Sequence, residues 1–248
     1  MMISFTSEQR FIVTGASSGI GEGVALLLNE LGATVVGIGR NQERLEAMKA
    51  KAKRPENIFL EQKDLAEDIA GLPAYVKALK EKYGKFQGMA CCAGIGTLLS
   101  LQSMDIDAIK QMFDVNYFSS VFLAKGFADR RVNNGKGSAL VAIASIAANI
   151  AEKGQIAYAG SKAALSASMK AIARELSSQQ IRVNTVSPSM IATPMLGDGS
   201  SDYYQEMSQK YPFGFGKPED IANMIVFLLS DKSKWITGQN YILDCGTY

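Results

Sequence analysis

Short apolar runs alternate with longer amphipathic stretches along the whole chain. Residues 10–15, RFIVTG, are apolar on both faces and end in a glycine turn, the pattern of a fully buried strand. The next stretch, IGEGVALLLNELG, repeats apolar residues at helical intervals and closes on Gly32, which predicts a helix. ATVVGIG reads as a second strand and NQERLEAMKAKAK as a charged helix stopped by Pro55. NIFLEQ, KFQGMACCAG, SALVAIAS and IRVNTVSP are further strands, with helices expected over 72–83, 105–131 and 155–178 between them. A last helix, PEDIANMIVFLLS, leads into a final strand, QNYILD. Strands that are apolar throughout and separated by helices predict an α/β chain, a doubly wound parallel sheet with helices on both faces. No repeat or linker divides it, so residues 1–248 are expected to form a single domain. One long irregular segment, 193–217, has the glycines and aromatics of a substrate flap.

Composition narrows the chemistry. With 26 basic and 24 acidic side chains the net charge is +2, which gives no reason to expect nucleic acid or an anionic membrane as partner. The N-terminal MMISFTSEQR lacks the cationic lead and apolar core of a signal peptide. The longest apolar run, ALVAIASIAANIA, is too short to cross a bilayer. A soluble cytoplasmic protein is expected. Cys91, Cys92 and Cys245 have no metal-ligand spacing, and adjacent cysteines are awkward to bridge, so they read as free thiols. The chain contains no histidine. That removes Ser-His-Asp and Cys-His nucleophiles and imidazole-bound zinc, and no metal site is expected. Proton transfer near neutral pH must use Tyr, Lys, Cys or a carboxylate.

Three motifs carry candidate chemistry. In TGASSGIG, Gly15, Gly19 and Gly21 surround Ser17, Ser18 and Ile20 between the first strand and first helix. Glycines there let a pyrophosphate approach the free N–H groups of a helix N-terminus, so the turn reads as a dinucleotide site. At the end of the second strand, Gly39 is followed by Arg40 and Asn41. An acidic residue at this place would bind the ribose 2′-hydroxyl of NAD, whereas the Arg40 guanidinium suits a 2′-phosphate. NADP(H) is therefore expected, with Arg40 as a solvated side chain at a helix start the plainer alternative. Third, AYAGSKAAL places Tyr158 and Lys162 one helical turn apart on one face. A phenol has a pKa of about 10; an adjacent ammonium favours its ionised form and should lower that value. Such a tyrosine gives or takes a proton at an alcohol oxygen. Ser145, closing the strand SALVAIAS, should reach the same oxygen from the carboxyl edge of the sheet.

TGASSGIG, the Ser145 strand end, YAGSK and NTVSPSMIATPM occur in order over nearly the whole chain, which closely resembles the short-chain dehydrogenase/reductase family. The resemblance implies a single Rossmann-type domain with a seven-stranded parallel sheet. It implies Tyr158 as catalytic acid/base, Lys162 as the residue that tunes it and bonds the nicotinamide ribose, and Ser145 as the group orienting the carbonyl. Asn116 would hold a water linking Lys162 to solvent, although it also reads as a helix-interior amide bonded to backbone. Asp64, with Leu65, would contact adenine, or serve as a helix N-cap. Cys92, Ala93 and Gly94 stand where the family has Asn-Ala-Gly; Pro188-Ser189 stands where it has Pro-Gly, and a serine there fits a positive φ poorly. Thr193 would bind the carboxamide beside Ile191. The implied activity is NADP(H)-dependent hydride transfer to a small-molecule carbonyl or acyl-thioester substrate, as in a 3-oxoacyl carrier-protein reductase. An NAD-dependent alcohol dehydrogenase and a non-catalytic dinucleotide sensor are the alternatives. Residues 95–101 and 146–156, with Met195, Leu196, Tyr203, Met207, Tyr211 and Phe213, are expected to line the substrate pocket. Arg130, Arg131, Lys170 and Arg174 are a candidate patch for an acidic carrier protein. Residues 157–173 and the C-terminal ILDCGTY suggest a homotetramer or homodimer.

Overall fold

Side chains along β1 (Arg10–Thr14) enter two different cores. Phe11 and Val13 belong to one and Ile12 to the other, all fully buried, because successive strand residues face opposite sides of a sheet. This is why the strand is apolar throughout. The structure is a computed structural model that describes residues 2–197 and 207–247. The remaining strands are β2 (Thr34–Gly39), β3 (Ile58–Gln62), β4 (Gly88–Cys91), β5 (Ala139–Ile143), β6 (Arg182–Pro188) and β7 (Asn240–Leu243). They form one seven-stranded sheet in the order β3-β2-β1-β4-β5-β6-β7, parallel at every pairing. Chain order reverses between β1 and β4, so their carboxyl ends open a crevice.

Helices α1 (Gly19–Glu30), α2 (Gln42–Ala50) and α7 (Pro218–Leu229) cover one face through residues such as Leu28, Leu45 and Ile225. On the other face lie α3 (Leu72–Tyr83), α4 (Ile106–Phe113), α5 (Ser119–Phe127) and α6 (Ile156–Leu176), where Val76, Leu123 and Met169 meet the sheet. The architecture is the doubly wound Rossmann fold. No helix among the described residues is long and apolar enough to cross a membrane.

The helix expected over 105–131 is not continuous. Asp105 caps α4 by accepting from the Ala108 amide at 2.7 Å. Residues Asp114–Phe118 then form a π turn, beside which the Ser119 hydroxyl donates back to the Val115 carbonyl at 2.6 Å. The turn carries Asn116, whose side chain is fully buried. α5 stops at Phe127, where the Asn133 side-chain amide takes the Phe127 carbonyl at 2.8 Å and begins a turn.

Beyond β6, residues 190–192 pair with Gly216 in an isolated parallel bridge. Ala192 N donates to Gly216 O at 2.8 Å and Gly216 N to Met190 O at 3.1 Å, which pins both ends of the segment read as a flap. Tyr203 and the rest of 198–206 lie outside the described residues.

A buried arginine joins β6 to the end of α7. Arg182 is only 6% exposed, and its guanidinium donates to Leu228 O at 2.5 Å, Ser233 Oγ at 2.7 Å and Ser230 O at 2.9 Å. These contacts satisfy carbonyls that the helix end leaves open. Arg182→Met keeps the apolar stem and removes the donors, leaving the Leu228 and Ser230 carbonyls with only the shared Ser233 hydroxyl and a long Ser233 N–H contact. It is expected to cost about 2 kcal/mol or more. Urea unfolding of the two proteins measures it; equal midpoints and slopes would contradict this role.

Candidate active site

The first strand ends in a turn that no side chain could fill. Gly15 has φ +67°, and a Cβ there would sit 2.9 Å from Ala93 N. A Cβ on Gly21 would lie 2.3 Å from Gly15 O, so the first turn of α1 folds tightly onto the loop. Ser18, the N-cap, makes no side-chain cap bond, which leaves the N-terminal amides of α1 open to an anion. The opposite wall is held from β1: the Thr14 hydroxyl accepts from Cys92 N at 3.0 Å and Ala93 N at 3.1 Å. Thus Thr14 secures the segment in which Cys92 replaces the family's asparagine.

Arg40, Asn41, Asp64 and Leu65 line the same cleft. Asn41 caps α2, its side chain accepting from Arg44 N at 2.8 Å. Arg40 lies 3.9 Å from Asp64, and both are largely exposed. Asp64 is not a helix N-cap: it accepts from Ala66 N at 2.9 Å in a turn, and α3 begins only at Leu72. Sequence reasoning missed two further cations here, Arg44 and Lys63. Arg44 follows Arg40 by four residues, one turn of α2, and that spacing was the available signal.

At the other end, α6 carries Tyr158 and Lys162 to the carboxyl edge of β5. Lys162 is 3% exposed, donates from Nζ to Ile143 O at 2.8 Å, and lies 5.9 Å from the Tyr158 ring centroid. A methyl on Gly94 would be 3.3 Å from that Nζ and 3.2 Å from Asn116 Oδ1. Asn116 is held in the wall behind, not in the cleft lining: it accepts from Ile95 N at 2.8 Å and donates to Ile95 O at 3.0 Å and Ser161 Oγ at 3.1 Å. The amide is bonded to backbone, as one of its two expected readings has it, and its Oδ1 and the Lys162 Nζ both face Gly94. Ser145 Oγ accepts from Ala147 N at 3.1 Å, so its O–H remains able to donate.

Charge follows burial. Desolvation lowers Lys162 to about 8. The Tyr158 phenol is raised by burial, and a hydrogen bond with Ser145 opposes that rise. Contrary to the expectation that Lys162 sets the phenol low, burial raises it, opposed only by Ser145, and the ammonium gives its hydrogen bond to Ile143 O instead. Burial disfavours the thiolate form of Cys91 and Cys92. Burial pushes Cys91 up to about 12 and Cys92 higher still, despite Lys162 beside the latter.

One cleft of about 820 Å³ is lined by Gly15, Ser17 to Gly21, Arg40, Asn41, Asp64, Leu65, Cys92 to Gly94, Ser145, Tyr158, Lys162, Pro188, Ile191 and Thr193. Ile95 to Leu98, Ile146, Ala147, Ile150, Met195, Leu196, Met207 and Tyr211 line its Tyr158 end. Leu101 and Phe213 do not line it; they are 67% and 85% exposed. Ser189 is not in the left-handed region, so replacing the family glycine costs no backbone strain. Its hydroxyl instead forms a short hydrogen bond with the Tyr211 hydroxyl.

Comparison with known proteins agrees with this geometry. A family model described as Enoyl-(Acyl carrier protein) reductase matches residues 15–248. The chain is a short-chain dehydrogenase/reductase. The 3-oxoacyl-(acyl-carrier-protein) reductase FabG of Rickettsia conorii is 32% identical over 247 residues, 99% of this chain and 98% of that protein. D-erythrulose reductase of Gallus gallus is 32% identical, covering 96% of this chain and 95% of its own length. A short-chain dehydrogenase of Burkholderia cenocepacia J2315, solved in complex with NADP, superposes with a TM-score of 0.88 at 28% identity, covering 96% of this chain and 97% of that one. On this dehydrogenase/reductase the basic patch considered for a carrier protein is partly neutralised. Arg131 forks onto Asp129 at 3.0 and 2.7 Å, and Arg130 bonds Gln179 at 3.3 Å.

The buried ammonium has a measurable signature. Lys162 titrates near 8 in the folded protein against the usual 10.5. Between those values the unfolded chain binds the extra proton, so folding becomes more favourable as pH rises. In urea unfolding of the nucleotide-free proteins, wild type is expected to gain about 2 kcal/mol on Lys162→Met between pH 7.5 and 10. A difference that stays constant with pH would contradict a desolvated ammonium.

Proposed function

We propose that this oxidoreductase interconverts a small-molecule carbonyl and its secondary alcohol, with NADP(H) as cofactor. The observation that carries the reading is the convergence of Ser145, Tyr158 and Lys162 on a cleft whose far end joins the open amides of α1 to Arg40, Arg44 and Lys63. Those residues fit a dinucleotide bearing an extra phosphate: glycines 15 and 21 leave no room for a side chain where the backbone must approach it, and three cations face one carboxylate, Asp64, where a 2′-phosphate would lie. The NADP-bound relative from Burkholderia cenocepacia supports the same cofactor.

NADPH, when bound, supplies the hydride. Ser145 donates its O–H to the carbonyl oxygen, using the proton that its bond from Ala147 N leaves available. Tyr158 gives the phenolic proton to that oxygen as negative charge develops. Its raised pKa suits it to hold the proton through neutral pH. Lys162 steadies the phenolate left behind. In the oxidative direction the same groups work in reverse. Homodimer or homotetramer assembly is supported by apolar side chains left at the surface, Phe118 in the π turn, Ile242 on β7 and Trp235, the last 97% exposed.

Two variants test this reading. Tyr158→Phe is expected to lower NADPH-dependent turnover of a carbonyl panel by about 10² to 10⁴; near wild-type turnover on a true substrate would exclude Tyr158 as the acid. Arg40→Ala is expected to lower kcat/KM for NADPH relative to NADH by about tenfold or more, the value of one charge-assisted contact. An unchanged cofactor ratio, or equal efficiency of wild type with both cofactors, would contradict the 2′-phosphate assignment.

A further inference from the structure

At the Tyr158 end of the cleft the lining is mostly apolar, with Ile95, Leu98, Ile146 and Ile150 on its walls beside a few hydroxyls such as Thr97 and Ser189, and one turn brings a charge to the mouth. Glu152 lines the cleft there, and its carboxylate makes no ion pair or side-chain hydrogen bond among the described residues. The other charged lining groups are Lys162 at the base and Arg40, Arg44, Lys63 and Asp64 at the nucleotide end. Among the described residues that line the cleft, Glu152 is therefore the only charge at its Tyr158 mouth; the exposed Lys153 beside it in the chain is not among the lining residues.

The turn that presents it is fixed from three directions. Glu152 N donates to Gln155 Oε1 at 3.0 Å, and Gln155 N donates back to Glu152 O at 3.1 Å. Leu99 N donates to Gly154 O at 2.9 Å, which docks the turn on the loop carrying Leu98. Gly154, at φ +81°, allows that approach. The carboxylate also lies just ahead of α6, whose N-terminal end favours a negative charge. The backbone of the turn is fixed in this way, so the exposed carboxylate stays at the mouth while its rotamer is free, and its field acts at short range through solvent.

We propose that Glu152 is a specificity-determining residue, a negative charge that turns away carbonyl compounds bearing a carboxylate or phosphate and admits neutral, hydroxylated or cationic ones. This rests on the carbonyl-reductase reading above and deepens it by assigning a substrate class. It also makes the mouth unfavourable to an acidic carrier protein. The substitution disturbs little, because the side chain is exposed and the turn is held by its backbone.

The test uses matched ketones that differ only in charge: 3-oxobutanoate against methyl 3-oxobutanoate, and 4-oxopentanoate against its methyl ester. For wild type, Glu152→Gln and Glu152→Lys, the ester-to-acid ratio of kcat/KM is measured with NADPH, and calorimetry in the presence of NADP⁺ gives the ratio of affinities. The ratio is expected to fall about fivefold in Glu152→Gln and further in Glu152→Lys, with the wild-type ratio shrinking as salt is added. Ratios equal in all three proteins would overturn the proposal, as would a loss of stability in Glu152→Gln without any change in ratio, the result expected if the charge serves only the end of α6. Absence of turnover with every ketone would count against the carbonyl-reductase reading instead, and the calorimetric ratio still decides the role of Glu152.

Discussion

An ammonium and a phenol share one buried helix face at the carboxyl edge of the sheet, and much of the structure is arranged around that arrangement. Removing either from water penalises its charged form, so burial lowers the lysine to about 8 and raises the tyrosine. A lysine 3% exposed survives there because the Ile143 carbonyl takes one of its protons at 2.8 Å and the neighbouring wall is made of Gly94 and an amide. The π turn in the preceding helix makes this possible. It turns Asn116 inward, where its bonds to Ile95 fix the loop that follows β4.

The two halves of the cleft solve different problems with the same sheet edge. On the nucleotide side the backbone supplies the site, and glycines are required where a Cβ would strike the opposing strand's loop. On the other side, side chains from α6, the end of β5 and the segment after β6 do the work. Thr14 links the halves: one hydroxyl at the end of β1 holds the two amides at Cys92 and Ala93 that divide the nucleotide turn from the lysine. The asparagine expected at residue 92 is therefore dispensable for the shape of this wall.

Much of this was legible beforehand, for identifiable reasons. Strands buried on both faces leave long apolar runs, and glycine turns and a Tyr-Lys pair at helical spacing are local signals, so fold class and the Ser145, Tyr158 and Lys162 cluster could be read from the chain. What escaped was non-local or depended on desolvation. The break at Asp114–Phe118 arises from a back-bonded serine and an inward amide, not from a glycine or proline. Lys63 joins Arg40 and Arg44 only because β2 and β3 are neighbours. The Ser189 to Tyr211 bond spans a segment with no periodic pattern. The direction of the Tyr158 shift depends on how deeply the ring lies, which no spacing in the sequence reports.

The central claim is that burial keeps the Tyr158 phenol protonated well beyond neutral pH. It is tested most directly by a pH titration of the tyrosine Cζ resonances in ¹³C-labelled, nucleotide-free protein, with the Tyr158 signal identified by its loss in Tyr158→Phe. The account predicts that this resonance still reports a neutral phenol at pH 10, where an exposed tyrosine is about half ionised. Ionisation centred clearly below 10 would contradict it.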